Sequence, residues 1–323
     1  MSGSPPASGY DPQLFLPCPD EAQRKALFKR HVNNVCIETQ PHCNRSCTYC
    51  PIDQRQGVHP MADAVFEQIM GELAAIGYDR LVCLQVYGEP LLDMRDILHR
   101  AREARRLLPS AYLYFSTNGD HLTRSVLDDL AAVGLDRITV SIHSVAPYDD
   151  RNVLNTYHAL VRRSGLALRF TDVRPGSMIA ATARHKSMDI VLRAINFDQH
   201  GANRGGLLEQ IPVPKPRLAS CLRPFEDFVI SFNAEAYPCC NFVAGVPAHA
   251  RFALGKVGPG CTIFDLYAGQ RQTAWRRRLF LQGPKPAPCD SCAMGATDLS
   301  PEEAESRRAF LENLPGDDAA QIG

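Results

Sequence analysis

Cys43-x3-Cys47-x2-Cys50 places three thiols within eight residues of a 323-residue chain. Thiolates are soft ligands, and three from one short loop suit a compact iron–sulfur cluster. A four-iron cubane held by three protein sulfurs keeps one iron free for a ligand from outside. A structural zinc instead wants a fourth protein ligand close by, for which His42 and Asp53 are the nearest alternatives. Cys221, Cys239, Cys289 and Cys292 form a second set, enough to close another cubane completely. Four cysteines also satisfy tetrahedral zinc, but its usual pattern has two tight pairs, and here only Cys289-x2-Cys292 is tight. Cys240 adjoins Cys239 and competes with it as a ligand; we take Cys239.

Hydrophobic periodicity supplies the elements that must hold these residues. Glu21 to His31 reads as a helix, and Val35 to Glu38 as a short buried strand entering the first cysteine loop. Helical stripes (Val65, Phe66, Ile69, Met70, Leu73, Ile76; then Met94, Ile97, Leu98, Ala101, Ala104, Leu108; then Leu122, Val126, Leu127, Leu130, Val133) alternate with apolar runs at 81–87, 111–115 and 138–142. A fourth helix over 146–163 leads to a run at 166–173. Strands separated by helices argue for an α/β fold with a parallel sheet, either doubly wound or a barrel. In both, chemistry gathers at the carboxyl ends of the strands, where Gly88-Glu89, Ser116 to Gly119 and Ser141-Ile142-His143 fall. The proline-rich stretch 210–217 (QIPVPKPR) marks a boundary. Beyond it, Phe228 to Phe232 and Tyr237 flank a polar turn, a hairpin delivering Cys239 and Cys240, and Ile263 to Leu281 reads as a helix. The expected organisation is an extension over 1–33, a core over 34–209, an auxiliary region over 210–300, and a helix with tail over 301–323.

Composition narrows the partners. Lys plus Arg (35) balances Asp plus Glu (35), so no net field draws the chain to nucleic acid or to an anionic membrane, and a small-molecule substrate is expected. Arg276 to Arg278 after Trp275 read as one helix face and its flanks rather than as a nucleic-acid site. No apolar run approaches the roughly 18 residues of a membrane span, and the opening MSGSPPASGYDPQ lacks the order of a signal peptide. A cytoplasmic location is expected, where a reducing environment keeps thiols free for metal.

HCNRSCTYCPI (His42 to Ile52) resembles the cluster loop of the radical S-adenosylmethionine (SAM) family, including an aromatic residue, Tyr49, before the third cysteine. The resemblance implies a partial (β/α)6 barrel, with a [4Fe-4S] cluster on Cys43, Cys47 and Cys50. Its free iron would chelate SAM, whose cleavage would yield a 5′-deoxyadenosyl radical. YGEP (Tyr87 to Pro90) is similar to the family's glycine-rich turn for the methionine ammonium, although Tyr87 stands where a first glycine is usual. STNG (Ser116 to Gly119) and TVSIHS (Thr139 to Ser144) are similar to its third- and fourth-strand motifs. The implied cofactor contacts are Tyr49, Gly88, Glu89, Ser116, Asn118 and Ser141.

ANRGG (Ala202 to Gly206), CLRPF (Cys221 to Phe225), Pro238-Cys239 and the terminal CDSC resemble the SPASM or shortened twitch extension, with cysteines for one auxiliary [4Fe-4S] cluster. The resemblance spans roughly residues 34 to 295 and reaches members that tailor aminoglycosides and other natural products. It implies dehydrogenation of a secondary alcohol on an aminocyclitol, sugar or nucleoside. The alternatives are epimerisation with Cys240 or Cys261 as hydrogen donor, peptide modification, and a non-enzymatic zinc or electron-transfer protein. His143, Tyr148, Asp149, Asp150 and Arg151 follow the fourth strand, where loop residues can meet a polar substrate. An external one-electron reductant of flavodoxin or ferredoxin type is the implied partner.

Overall fold

Asp20 starts the first helix, α1 (Glu21–His31), by accepting the Gln23 amide at 2.7 Å, and Lys29, Arg30 and His31 fill its last turn, where the helix dipole favours cations. The chain then alternates through β1 (Asn34–Ile37), α2 (Asp63–Ala75), β2 (Leu81–Cys83), α3 (Met94–Leu107), β3 (Tyr112–Thr117), α4 (Arg124–Ala132) and β4 (Arg137–Ser141). β1 to β4 pair in parallel in sequence order, as the alternating pattern predicts. The structure, a computed structural model, describes residues 10–142, 148–211, 216–292 and 294–315. His143 and Ser144 of the fourth-strand motif, the start of the fourth helix, Pro212 and Pro214 of the boundary, and the ends of both terminal segments lie outside the described residues.

After α5 (Asp150–Ser164), which Gly165 ends in the left-handed region (φ 68°), the expected order changes. The run at 166–173 does not become the next parallel strand. β5 (Arg169–Arg174), β6 (Met178–His185) and β7 (Met188–Ile195) form an antiparallel meander, and β7 returns to lie parallel to β4. Arg169, Asp172 and Arg174 cannot be buried on both faces of a central strand, so β5 takes the exposed edge. β7 buries Met188, Ile190, Leu192 and Ala194 on its covered face.

The remainder runs through α6 (Phe197–His200), β8 (Ser220–Cys221), α7 (Arg223–Glu226), β9 (Asp227–Ile230), β10 (Glu235–Tyr237), α8 (Pro247–Ala250), β11 (Gly255–Lys256), α9 (Ile263–Tyr267), α10 (Gln270–Phe280), β12 (Ala296–Thr297) and α11 (Pro301–Glu312). β9 and β10 form the expected hairpin, and β9 inserts in parallel beside β1. The helix expected over 263–281 is two helices, separated at Ala268-Gly269. Arg276 is fully buried rather than on a flank: Nε donates to the Pro224 carbonyl at 3.0 Å, and the guanidinium lies 4.0 Å from the Tyr267 ring centroid.

The sheet order is β11-β10-β9-β1-β2-β3-β4-β7-β6-β5, so six neighbouring strands, β9 to β7, are parallel and the sheet ends at β11 and β5 without closing. The strands pack Val35, Ile37, Val82, Phe115, Val140 and Leu192 into the main core on one side. A small separate cluster, Cys36, Cys83 and Val229 with Val86, Tyr114 and Cys240 against it, occupies the other. A doubly wound sheet would carry helices on both faces. One core-bearing face and one narrow inner cluster describe an incomplete (β/α) barrel. No helix among the described residues is long and apolar enough to cross a membrane.

Candidate active site

The loop after β1 carries Cys43, Cys47 and Cys50, and the Cys50 amide donates to the Cys47 carbonyl at 3.0 Å, folding the second and third thiols into one turn. All three border a cavity of about 330 Å³ at the carboxyl ends of the parallel strands. The loop is tied across the cavity to the end of β3. Asn118 Nδ2 donates to Asn44 Oδ1 at 2.7 Å and lies 3.8 Å from Cys43 Sγ, while Asp120 accepts from Asn44 at 2.9 Å and from Arg45. Burial pushes the Cys43 and Cys50 thiols up, Cys50 to about 11. Such thiols become thiolates only when a cation offsets the lost hydration, which is what iron does on coordination.

Every cofactor contact expected from the sequence, Tyr49, Gly88, Glu89, Ser116, Asn118 and Ser141, borders this same cavity. The Tyr49 ring stacks on Phe197 with centroids 3.7 Å apart and planes at 8°. Gly88 is required by close approach: a Cβ there would lie 1.7 Å from the Gln40 carbonyl oxygen. Glu89 is 2% exposed, and its carboxylate accepts from Thr117 Oγ1 (2.7 Å), the Asn118 amide (2.7 Å) and the Leu91 amide (3.0 Å). Burial raises its pKa against those bonds, which lower it. Glu89 therefore fixes the end of β3 as much as it offers charge to a ligand. Tyr87, in the place of a glycine, sends its hydroxyl to the Cys240 carbonyl at 2.7 Å and so joins this turn to the C-terminal hairpin.

Cys221, Cys239, Cys289 and Cys292 come together around a second, nearly filled space. Cys240 is not among them; it packs against Cys36, Cys83 and Val229 inside the barrel. Asn241 Nδ2 donates to Cys292 Sγ at 3.3 Å, and the Met294 amide at 3.4 Å. Arg217, only 7% exposed, holds the terminal loop by donating to the Met294 carbonyl at 2.6 Å and the Gly295 carbonyl at 2.9 Å. Burial raises the Cys221 and Cys239 thiols and takes Cys289 to about 12. Among the described residues, no three His, Cys, Asp or Glu side chains are placed to share a single ion. The four sulfurs border one space, and this all-sulfur donor set fits iron–sulfur ligation. Met294 borders both this space and the larger cavity.

Cys261 lies elsewhere. Its carbonyl accepts from Gln68 of α2 at 3.3 Å, it adjoins the cap of α9, and it does not border the cavity. Arg193 and Arg204, which periodicity did not single out, do border it, and neither has a carboxylate partner among the described residues. Arg193 follows from β7 taking the place beside β4, which the misassigned strand concealed, whereas Arg204 comes from the ANRGG segment after α6. Of the residues expected after β4, Asp149 caps α5 and accepts the Arg151 amide at 3.0 Å, while Asp150 Oδ2 accepts the Gly176 amide at 2.8 Å.

Residues 37–170 match the family model described as the radical SAM superfamily. The chain is 25% identical over 245 residues to the S-adenosyl-L-methionine-dependent 2-deoxy-scyllo-inosamine dehydrogenase of Niallia circulans, covering 75% of this chain and 85% of that one. It is 32% identical over 117 residues to a probable GTP 3′,8-cyclase of Methanopyrus kandleri, 36% of each. Among solved structures it resembles BtrN in complex with AdoMet and 2-DOIA (TM-score 0.56, 23% identity, 77% of this chain and 87% of that one). It also resembles BtrN in an open conformation (TM-score 0.53, 19% identity, 85% and 97%). These likenesses show the fold, the partial barrel described above.

Proposed function

We propose that this radical SAM enzyme, its radical SAM domain at residues 37–170, dehydrogenates a secondary alcohol of a small polar substrate such as an aminocyclitol. The observation that carries the reading is the pairing of two cysteine-lined spaces, one open and one nearly filled, that share Met294 as a wall. In this reading Cys43, Cys47 and Cys50 hold the cluster that binds SAM, and Cys221, Cys239, Cys289 and Cys292 hold an auxiliary cluster. Bound there, these groups would supply a 5′-deoxyadenosyl radical to take hydrogen from the carbinol carbon and an acceptor for the electron left when the hydroxyl proton departs. The protein's own part is placement. Tyr49, Gly88, Ser116, Asn118 and Ser141 line the SAM side, and the guanidinium groups of Arg193 and Arg204 offer donors to hydroxyl or carboxylate oxygens.

Neither Cys240 nor Cys261 borders the cavity, which favours oxidation over quenching of a substrate radical by a thiol. The test is anaerobic reconstitution with iron and sulfide, then incubation with SAM, a flavodoxin-type or chemical one-electron reductant and 2-deoxy-scyllo-inosamine or a related aminocyclitol. Equal amounts of ketone and 5′-deoxyadenosine support dehydrogenation. Deuterium from solvent at an unoxidised carbon would mean epimerisation, and zinc without sulfide would remove the enzyme reading altogether.

A further inference from the structure

Two buried charged side chains lie outside the set that lines the cavity. Glu38, the residue after β1, and Arg55, five residues beyond Cys50, form an ion pair in which each side chain is 1% exposed. Arg55 Nη1 donates to Glu38 Oε1 at 3.0 Å and Nη2 to Oε2 at 2.5 Å, a two-bond fork. The two residues are 17 apart and enclose Cys43, Cys47 and Cys50, so the pair closes the base of the cysteine loop.

The same carboxylate does more than neutralise a cation. Its Oε1 accepts the backbone amides of Tyr87 at 2.9 Å and Gly88 at 3.2 Å, and its Oε2 accepts Ser231 Oγ at 2.8 Å. Arg55 Nε reaches the Ala244 carbonyl at 2.9 Å, and its guanidinium lies 4.6 Å from the Phe232 ring centroid. A buried ion pair by itself is weak evidence for stability, because desolvation opposes the attraction. The destination of the bonds gives this one a purpose. Tyr87 and Gly88 lie past the end of β2, where the ladder gives their amides no partner, and an unbonded buried amide is costly.

We propose that Glu38, locked by Arg55, is a positioning residue that sets the Tyr87–Gly88 turn for SAM and holds the cysteine loop closed before any cluster is bound. The inference rests on the reading of that turn as part of the SAM site. It makes order in the loop, the turn and the C-terminal hairpin interdependent, since one carboxylate serves all three.

Hydrogen exchange on the metal-free protein tests it directly, using wild type, E38Q, R55K and S231A. E38Q and R55K are expected to speed exchange of the Tyr87 and Gly88 amides and of residues 39–55 about tenfold or more, the scale of a lost charge-assisted hydrogen bond. S231A, which leaves the fork and both amide bonds in place, should not. After reconstitution, E38Q should weaken SAM binding by equilibrium dialysis about tenfold, while 5′-deoxyadenosine formation at saturating SAM stays within about threefold. Should E38Q fail to fold, R55K, which keeps the charge but loses the fork, carries the same test. Unchanged exchange at Tyr87 and Gly88 in either folded variant overturns the proposal, as does faster exchange with unchanged SAM affinity. A wild-type protein that binds no SAM would overturn the SAM-site reading instead, on a separate sample.

Discussion

Arg45, which borders the cavity, and Asp120 form a two-bond ion pair: Nε donates to Oδ2 at 2.8 Å and Nη2 to Oδ1 at 2.5 Å. One residue sits in the middle of the cysteine loop and the other just past β3, so the pair fastens the loop to the strand end that carries Asn118. The Arg45 guanidinium beside Asp120 is the main cause that holds its carboxyl below the usual range.

Asp120→Asn should therefore show a pH signature. A carboxyl whose folded pKa is depressed contributes stability that is fully present above its unfolded pKa, about 3.9, and is lost as pH falls through the folded value. In thermal melts of metal-free protein, the wild type should exceed the variant by a constant margin from pH 5 to 8, with the margin closing only in stronger acid. A margin that changes near neutrality would contradict this assignment.

Gly88→Ala drives a methyl group into the Gln40 carbonyl, 1.7 Å from where the Cβ must sit. Backbone has to move, at a cost of about 1–3 kcal/mol. The expected result is a lower melting temperature together with weaker SAM binding; an unchanged SAM dissociation constant would argue against the turn as a SAM contact.

Cys239→Ser and Cys240→Ser should separate cleanly. Cys239 stands with Cys221, Cys289 and Cys292, whereas Cys240 faces Cys36 and Cys83. Iron analysis after reconstitution should fall from about eight to about four per chain in Cys239→Ser and stay near eight in Cys240→Ser. Equal loss in both would return the ligand choice to open ground.

Cys261→Ala removes the thiol of a residue whose carbonyl accepts from Gln68 and which does not border the cavity. Ketone formation should stay within about twofold of wild type. Continued SAM cleavage with loss of product would identify Cys261 as a hydrogen donor after all.

What the sequence made legible was local. The cysteine spacing and the polar residues at strand ends announce themselves within a few positions, and the strand ends do converge on one cavity. The misplaced fifth strand had a readable warning: RFTDVR carries three charges in six residues, an edge strand's composition, while β7 (MDIVLRAI) buries every second residue. Glu38, Arg55 and Arg217 gave no such warning. A buried ion pair whose partners lie 17 positions apart, or an arginine spent on carbonyls, leaves no periodic trace. Such residues are found only once the backbone groups they satisfy are in place.

The seat of β9 bears on how the chain can be cut. Its four residues match β1 one for one, Asn34 with Asp227 through Ile37 with Ile230. A fragment ending near residue 210 would strip the first barrel strand of that neighbour and bare an apolar edge beside the cysteine loop, inviting aggregation. The C-terminal third is thus no detachable appendage, and attempts to express the front portion alone should yield insoluble material.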